Sequence, residues 1–378
     1  MRIEIPELAL LALVGPAGAG KTTFARSRFK LTEVVSSDFC RALVADDEAD
    51  QSATPAAFDL LHLIVRLRLR RRRLTVVDAV NARPVDRRPL LALAREHDCA
   101  AVALVFDLPE EVCVQRDRAR RGRSVGSRVI RAQRSAVLRS MPGLREEGFH
   151  AVHLFDTPDA VEAATLRRVP LPVNRRWERG PFDVIGEVDG RLAELVELLR
   201  CLGYSVQSGA HGAATASHPD QRKVVFVGDL LGSGPDSLEV VGLVAAMCEA
   251  GRGYCVRGDQ DYGPARAMRG GDGLPDQLVR FLDGLASHLV LAAGRLVVTH
   301  AGILPEMVGR ESDRVQAFCI SGEPGWQRRW RGRVLVAHGH AGSAPDRWQG
   351  RTVNLDSSKA GGRRLTALRY PELELVSV

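Results

Sequence analysis

At 378 residues, with 45% hydrophobic and 26% charged side chains, the chain is too long for one ordinary core and too apolar to be disordered, so two globular domains are expected. A formal charge of +7 favours an anionic partner, and aromatic residues at 5% exclude numerous base-stacking platforms. Seven cysteines (Cys40, Cys99, Cys113, Cys201, Cys248, Cys255, Cys319) form no C-x-x-C pair and fit a reducing cytoplasm, while the N-terminal apolar run, cut by Gly15 and Pro16, is too short for a membrane anchor or a targeting signal.

In chain order, LALLALV at 8–14 reads as a buried strand and is followed by Gly15-Pro16-Ala17-Gly18-Ala19-Gly20-Lys21-Thr22-Thr23, which satisfies G-x-x-x-x-G-K-[ST] before the helical stretch TTFARSRF. Backbone N–H groups from Gly15, Gly18, Ala19, Gly20 and the residues after them can wrap phosphates there, Lys21 adds a cation, and the Thr22 hydroxyl can ligate Mg²⁺. A nucleoside triphosphate is the expected ligand. After the run EVV comes SSDFCR, which puts Asp38 at the carboxyl end of a second strand, in the crevice where open α/β sheets bind ligands. A carboxylate at that place can take the proton of an attacking hydroxyl, and Arg41 can hold an acceptor phosphate; the competing reading is that Ser36, Ser37 and Asp38 only cap the next helix.

A helix beginning near Ala56 closes on Arg66, Arg68 and Arg70–Arg73, the expected pattern of a solvated C-terminus. Strands follow at 74–80 and 101–108. The stretch EEVCVQRDRARRGRS carries Arg116, Arg120 and Arg123, which share one face if a single helix runs through them, as a lid able to neutralise a transferring phosphoryl group. Alternating strands and helices argue for a parallel sheet covered by helices. Residues 168–182, with three prolines and four arginines, are the expected linker between a domain at 1–167 and one at 183–378. In the second half, short apolar strands ending in Asp, Gly or His suggest a layered α/β sandwich.

The stretches VVSSDFCRALVADDEADQSATPAAFDLLH, LTVVDAVNARPVDRRPLLALAREH, VALVFDLPEEVCVQRDRARRGRSVG and EEGFHAVHLF resemble the kinase domain of bacterial polynucleotide kinase-phosphatase, an RNA end-healing enzyme, through residues 8–155. The resemblance implies that Lys21 and Thr22 bind phosphates and Mg²⁺, that Asp38 is the general base, that Arg41 lies on the acceptor side, and that Arg116, Arg120 and Arg123 form the lid. It implies transfer from ATP or another triphosphate to a 5′-OH end of RNA or DNA. Such proteins usually continue into a ligase domain, so the resemblance implies an RNA ligase or repair partner, either a separate protein or a further domain of a longer chain.

The second half resembles the phosphatase module of that family, a calcineurin-like binuclear metallophosphoesterase, but its motifs are damaged. G-D-V-H-G is replaced by Gly186-Glu187-Val188-Asp189-Gly190, G-D-x-x-D-R-G by Gly228-Asp229-Leu230-Leu231-Gly232-Ser233-Gly234, and G-N-H-[DE] by Gly258-Asp259-Gln260-Asp261; His300, His340 and Asp356 remain at matching positions. Gln260 cannot act as a proton donor at neutral pH and Ser233 cannot clamp a phosphate as arginine does, so hydrolysis is expected to be weak. Glu187, Asp189, Asp229, Asp259, His300 and His340 still offer ligands for a hard divalent ion. The competing expectations are an active bifunctional kinase-phosphatase, a small-molecule P-loop kinase, and a non-catalytic nucleic-acid-binding scaffold.

Overall fold

The run Ala9–Val14 is buried at every position and therefore needs neighbours on both edges and both faces. In the computed structural model, which describes residues 1–120, 124–208, 214–262, 274–340, 347–356 and 364–378, it finds them within the first of two units, Met1–Leu171 and Pro172–Val378.

The first unit runs β1 (Arg2–Pro6), β2 (Ala9–Val14), α1 (Lys21–Arg28), β3 (Val34–Ser36), α2 (Ser37–Ala45), α3 (Thr54–Arg70), β4 (Thr75–Asp78), α4 (Pro84–Glu96), β5 (Ala100–Phe106), α5 (Glu110–Arg118), α6 (Ser127–Ser140), α7 (Leu144–Glu147), β6 (Ala151–Phe155), α8 (Pro158–Ala163) and β7 (Thr165–Val169). Five of these strands form a parallel sheet in the order β3-β4-β2-β5-β6, and β1 pairs with β7 in parallel. Alternate residues of β2 face opposite sides: Leu10, Ala12 and Val14 pack with Ala57, Leu61, Val65 and Leu69 of α3, whereas Leu11 and Leu13 pack with Phe24 and Ala25 of α1. The i, i+4 spacing of the α3 residues is what lets its arginine-rich remainder face away from the core. Each fully buried leucine contributes about 1.5–3 kcal/mol, so both layers hold the strand ends that carry the site.

In the second unit, β8 (Phe182–Ile185), α9 (Leu192–Cys201), β9 (Ser205–Ser208), β10 (Ala214–Ser217), β11 (Lys223–Phe226), α10 (Ser237–Glu249) and β12 (Gly253–Cys255) come first. They are followed by α11 (Asp276–Asp283), β13 (His288–Leu291), β14 (Leu296–Thr299), α12 (Asp313–Ser321), β15 (Leu335–His338), β16 (Trp348–Gln349), β17 (Thr352–Asn354), β18 (Thr366–Tyr370) and β19 (Glu374–Ser377). Two five-stranded mixed sheets, β12-β11-β8-β18-β19 and β13-β14-β15-β17-β16, share one apolar layer built from Phe182, Val184, Val225, Leu296, Val298 and Ala337. Helices α9 and α10 cover the outer face of the first sheet through Leu195, Leu199, Val240 and Val244. Arg222, Asp183, Tyr204 and Glu372 form a hydrogen-bonded charged group at the edge of this layer, with Asp183 fully buried.

The expected linker at 168–182 is not all connection. Arg168 and Val169 complete β7, and the segment from Pro172 belongs to the second unit, where Val173 is fully buried and Asn174 bridges to Val290. Three prolines mask what the backbone does here, because proline suits edge and turn positions as readily as it suits linkers.

Candidate functional sites

Carboxyl ends of β2, β3 and β4 converge on a cleft of about 270 Å³ whose lining includes Gly18, Gly20, Lys21, Thr22, Thr23, Asp38, Asp78, Arg116, Arg120 and Gln133. The loop after β2 reaches α1 through Gly18 in the left-handed region (φ +76°), where a Cβ would lie 2.1 Å from the Cys113 carbonyl oxygen. Lys21 is buried, and its Nζ donates to the carbonyls of Gly15 and Pro16, both at 2.8 Å. Burial pushes its pKa down to about 8 against the attraction of Asp78, Cys113 and Asp38.

Asp78, the last residue of β4, was not singled out from sequence. Burial raises its pKa, opposed by Lys21 and by a hydrogen bond with Thr22, and its Oδ2 is buried without a hydrogen-bond partner. An acidic residue ending the strand beside a P-loop strand was the available signal; it lay inside LTVVDAV, which the apolar pattern assigned wholly to strand. Gln133 of α6 is a second such residue, its Oε1 accepting from Ala17 N at 2.8 Å.

Asp38 sits in the first turn of α2, and the cap of that helix is Ser36, whose Oγ accepts from Phe39 N at 3.4 Å. Asp38 thus does something other than capping: its Oδ1 accepts from Arg41 Nη1 at 2.8 Å. Arg41 is buried and also donates to the Glu48 carbonyl at 2.8 Å. Its guanidinium does not line the cleft and bonds Asp38 and the Glu48 carbonyl, so the acceptor-phosphate role expected for it has no direct geometric support here.

The single helix expected through Arg116, Arg120 and Arg123 does not form. α5 ends at Arg118 with Ala119 as its C-cap, and Arg123 lies outside the described residues. Buried Asp117 accepts from Ser124 Oγ at 2.7 Å and Gly126 N at 3.1 Å; burial opposes its ionisation, but these hydrogen bonds hold it below the usual carboxylate range. Arg116 and Arg120 nevertheless line the same cleft.

In the second unit, Glu187, Asp229, His300 and His340 bring one ligand atom each to within 4.8 Å of one another, after β8, β11, β14 and β15 respectively. Gly228 (φ +93°) makes the turn that presents Asp229, with room for no Cβ because Gly258 N lies 2.5 Å from where it would stand. His300 is fully buried, and its Nδ1 donates to the Val227 carbonyl at 3.0 Å. Its Nε2 has no hydrogen-bond partner and lies 3.6 Å from Asp229 Oδ1 and 3.6 Å from Asp259 Oδ1; burial lowers the ring's pKa, but Asp259 and Glu187 outweigh it and raise the pKa above the ordinary value. Burial, with help from Asp356 and Asp229, pushes the Glu187 carboxyl up to about 8, and burial beside Asp261 and Asp259 raises Asp229 well above its ordinary range. Two carboxylates, Glu187 and Asp229, and two imidazoles, His300 and His340, converging in this way fit a divalent cation, with Asp259 outside the group of four.

Asp189 does not join that group. Its carboxylate accepts from Ser233 N and Ser233 Oγ, both at 3.2 Å, and it fills the space beside Gly232, where a Cβ would lie 1.7 Å from Asp189 Oδ1. The replaced residues at 189, 232 and 233 are therefore coupled in space. Asp261, fully buried, accepts from Leu230 N at 2.9 Å and Leu231 N at 3.0 Å and so fixes the loop after Asp229. Gln260 Nε2 donates to Asp259 Oδ1 at 2.9 Å.

Fold and sites together define a kinase-like P-loop phosphotransferase unit joined to a second α/β unit with a candidate metal group. An AAA domain family model matches residues 10–144. The asymmetrical bis(5′-nucleosyl)-tetraphosphatase PrpE of Geobacillus thermodenitrificans is 32% identical over 233 residues, covering 52% of this chain and 93% of the relative, and that of Bacillus thuringiensis is 32% identical over 235 residues with the same coverage. The chain belongs to the PrpE family. Among solved structures, the Pnkp1/Rnl/Hen1 RNA repair complex is 16% identical with a TM-score of 0.33, covering 80% of this chain and 91% of that one. Shikimate kinase from Acinetobacter baumannii is 21% identical with a TM-score of 0.29, covering 41% and 88%. No helix among the described residues is long and apolar enough to cross a membrane.

Proposed function

We propose that the first unit is a polynucleotide 5′-hydroxyl kinase, acting in RNA end repair in the cytoplasm. The observation that carries this reading is the placement of Asp38 in one cleft with Lys21, Thr22, Arg116 and Arg120. A 5′-hydroxyl held at Asp38 gives its proton to the carboxylate as its oxygen bonds to the γ-phosphorus; the bond to the bridging oxygen breaks, and ADP leaves with that electron pair. Lys21, Arg116 and Arg120 offset the charge on the phosphoryl oxygens. Thr22 and Asp78, with its unpartnered buried Oδ2, would hold Mg²⁺, which shields the triphosphate when bound. Arg41 keeps Asp38 aimed through the hydrogen bond to its Oδ1. The test is transfer from γ-labelled ATP to 5′-OH oligonucleotides of RNA and DNA by wild type and Asp38→Asn; label on nucleosides or sugars in preference to oligonucleotides makes this a small-molecule kinase.

For the second unit we propose a divalent-cation site at Glu187, Asp229, Asp259, His300 and His340 with weak hydrolysis of phosphoesters. Gln260 and Ser233 supply neither a proton donor nor a phosphate clamp. Family membership favours a second reading, in which this unit splits a bis(5′-nucleosyl) tetraphosphate as its relatives are named for doing. Steady-state hydrolysis of that compound, set against p-nitrophenyl phosphate and a 2′,3′-cyclic phosphate, separates the two.

A further inference from the structure

The chain has eleven phenylalanines, and ten of them are buried or half-buried. The exception is Phe39, 62% exposed, in the first turn of α2 immediately after Asp38. Exposing a phenylalanine gives up burial of one of the largest apolar side chains, so a lone exposed one beside a reactive carboxylate calls for an occupant. Leu43, four residues on and 57% exposed, stands on the same face of the helix and extends the apolar surface away from the cleft.

This helix is firmly held. Ser36 caps it at Phe39 N, and Arg41, buried on the opposite side, ties it to Asp38 and to the Glu48 carbonyl. The ring thus stands on a capped helix and not on a loose loop. If Asp38 takes the proton of an acceptor hydroxyl, whatever group is attached to that hydroxyl must pass over the residues next to Asp38 on the helix surface. For a polynucleotide the attached group is a nucleoside, whose base has a flat π face that stacks on an aromatic ring irrespective of its identity. A sugar or a short metabolite offers no such face.

We propose that Phe39, extended by Leu43, is the platform on which the base of the 5′-terminal acceptor nucleoside stacks, so that acceptor choice is set by the presence of that base and not by its hydrogen-bonding edge. The inference rests on the kinase reading of the same cleft. The experiment compares two 5′-OH oligonucleotides of identical length and charge, one with a normal first nucleotide and one abasic at that position, using wild type, Phe39→Ala and Phe39→Trp. For wild type, the abasic end raises the oligonucleotide KM about tenfold or more, the range expected from loss of one stacked base, with little change in kcat. Phe39→Ala shows the raised KM with both substrates, and Phe39→Trp restores the difference. KM for ATP stays unchanged in all three.

Equal abasic penalties in wild type and Phe39→Ala overturn the platform while leaving the kinase reading intact. Absence of transfer to either oligonucleotide by wild type overturns the kinase reading, and the platform falls with it. Because the side chain is exposed, loss of folding does not confuse the result.

Discussion

Raising the pH should weaken triphosphate binding through Lys21 itself. The Lys21 ammonium is buried, and burial brings its pKa from the ordinary lysine value of 10.5 down to about 8. A shift of that size corresponds to about 3 kcal/mol of penalty on the charged form in the empty cleft. Polyphosphate at the P-loop reverses the balance, because an opposite charge at contact favours the ammonium. Binding at pH 7 therefore meets a lysine about nine-tenths protonated, whereas binding at pH 9 must first take up a proton, and affinity falls by about tenfold between the two. The same shift makes the free protein gain stability between about pH 8 and 10.5, since in that window the unfolded chain binds more protons at this residue. Calorimetric titration with a non-hydrolysable triphosphate, run at pH 9 in buffers of different ionisation enthalpy, reads the proton directly. The expected result is uptake of nearly one proton at pH 9, close to none at pH 7, and loss of the uptake in Lys21→Met. An affinity flat from pH 7 to 9.5, with no proton uptake, refutes the argument.

Three further outcomes follow from the geometry. Asp38→Asn should lower kcat for transfer by about 10²–10⁴-fold while triphosphate affinity stays within twofold, as measured by single-turnover kinetics and titration. Asp229→Asn should raise the melting temperature without metal, because it removes a buried carboxylate crowded by Asp261 and Asp259, and should abolish the upward shift of roughly 5–10 °C that wild type shows with saturating Mg²⁺ or Mn²⁺. A metal-induced shift that survives the substitution removes the cation from this site. Gly232→Asp alone should destabilise the protein by clashing with Asp189, whereas the combined variant Glu187→Asp, Asp189→His, Gly232→Asp, Ser233→Arg, Asp259→Asn and Gln260→His should fold and hydrolyse p-nitrophenyl phosphate faster than wild type; robust hydrolysis by wild type defeats the reasoning.

Elements with one dominant signal were legible in the sequence. The apolar runs at 8–14 and 101–108 became β2 and β5, and the amphipathic stretches 191–204 and 236–250 became α9 and α10. Strands whose partners are remote in sequence were not, as with β1 and β7, paired across most of the first unit, nor were β9 and β10, whose short polar sequences SVQS and ATAS carry no apolar run. Helical spacing alone also overran its limit at Arg118, where the helix ends and Asp117 accepts from residues seven to nine positions further on, a link that no periodicity reveals. Candidate site residues were legible where a motif carried them, as at Lys21, Thr22, Glu187, Asp229, His300 and His340. Asp78 and Gln133 carry no motif; they matter because tertiary packing aims them at the loop after β2. Asp189 shows the converse error: its position in the motif suggested a ligand, but a neighbouring glycine left room for it to turn to Ser233.

The central claim is that the cleft holding Lys21 and Asp38 phosphorylates a polynucleotide end. Its most direct test is a single competition in which γ-labelled ATP is offered to equal concentrations of 5′-OH RNA, 5′-OH DNA, nucleosides and sugar acids, with products separated and their label counted. Label is expected to accumulate at the 5′ end of an oligonucleotide and to be lost in Asp38→Asn; label on a nucleoside or sugar acid, with the oligonucleotides unlabelled, would refute the polynucleotide reading.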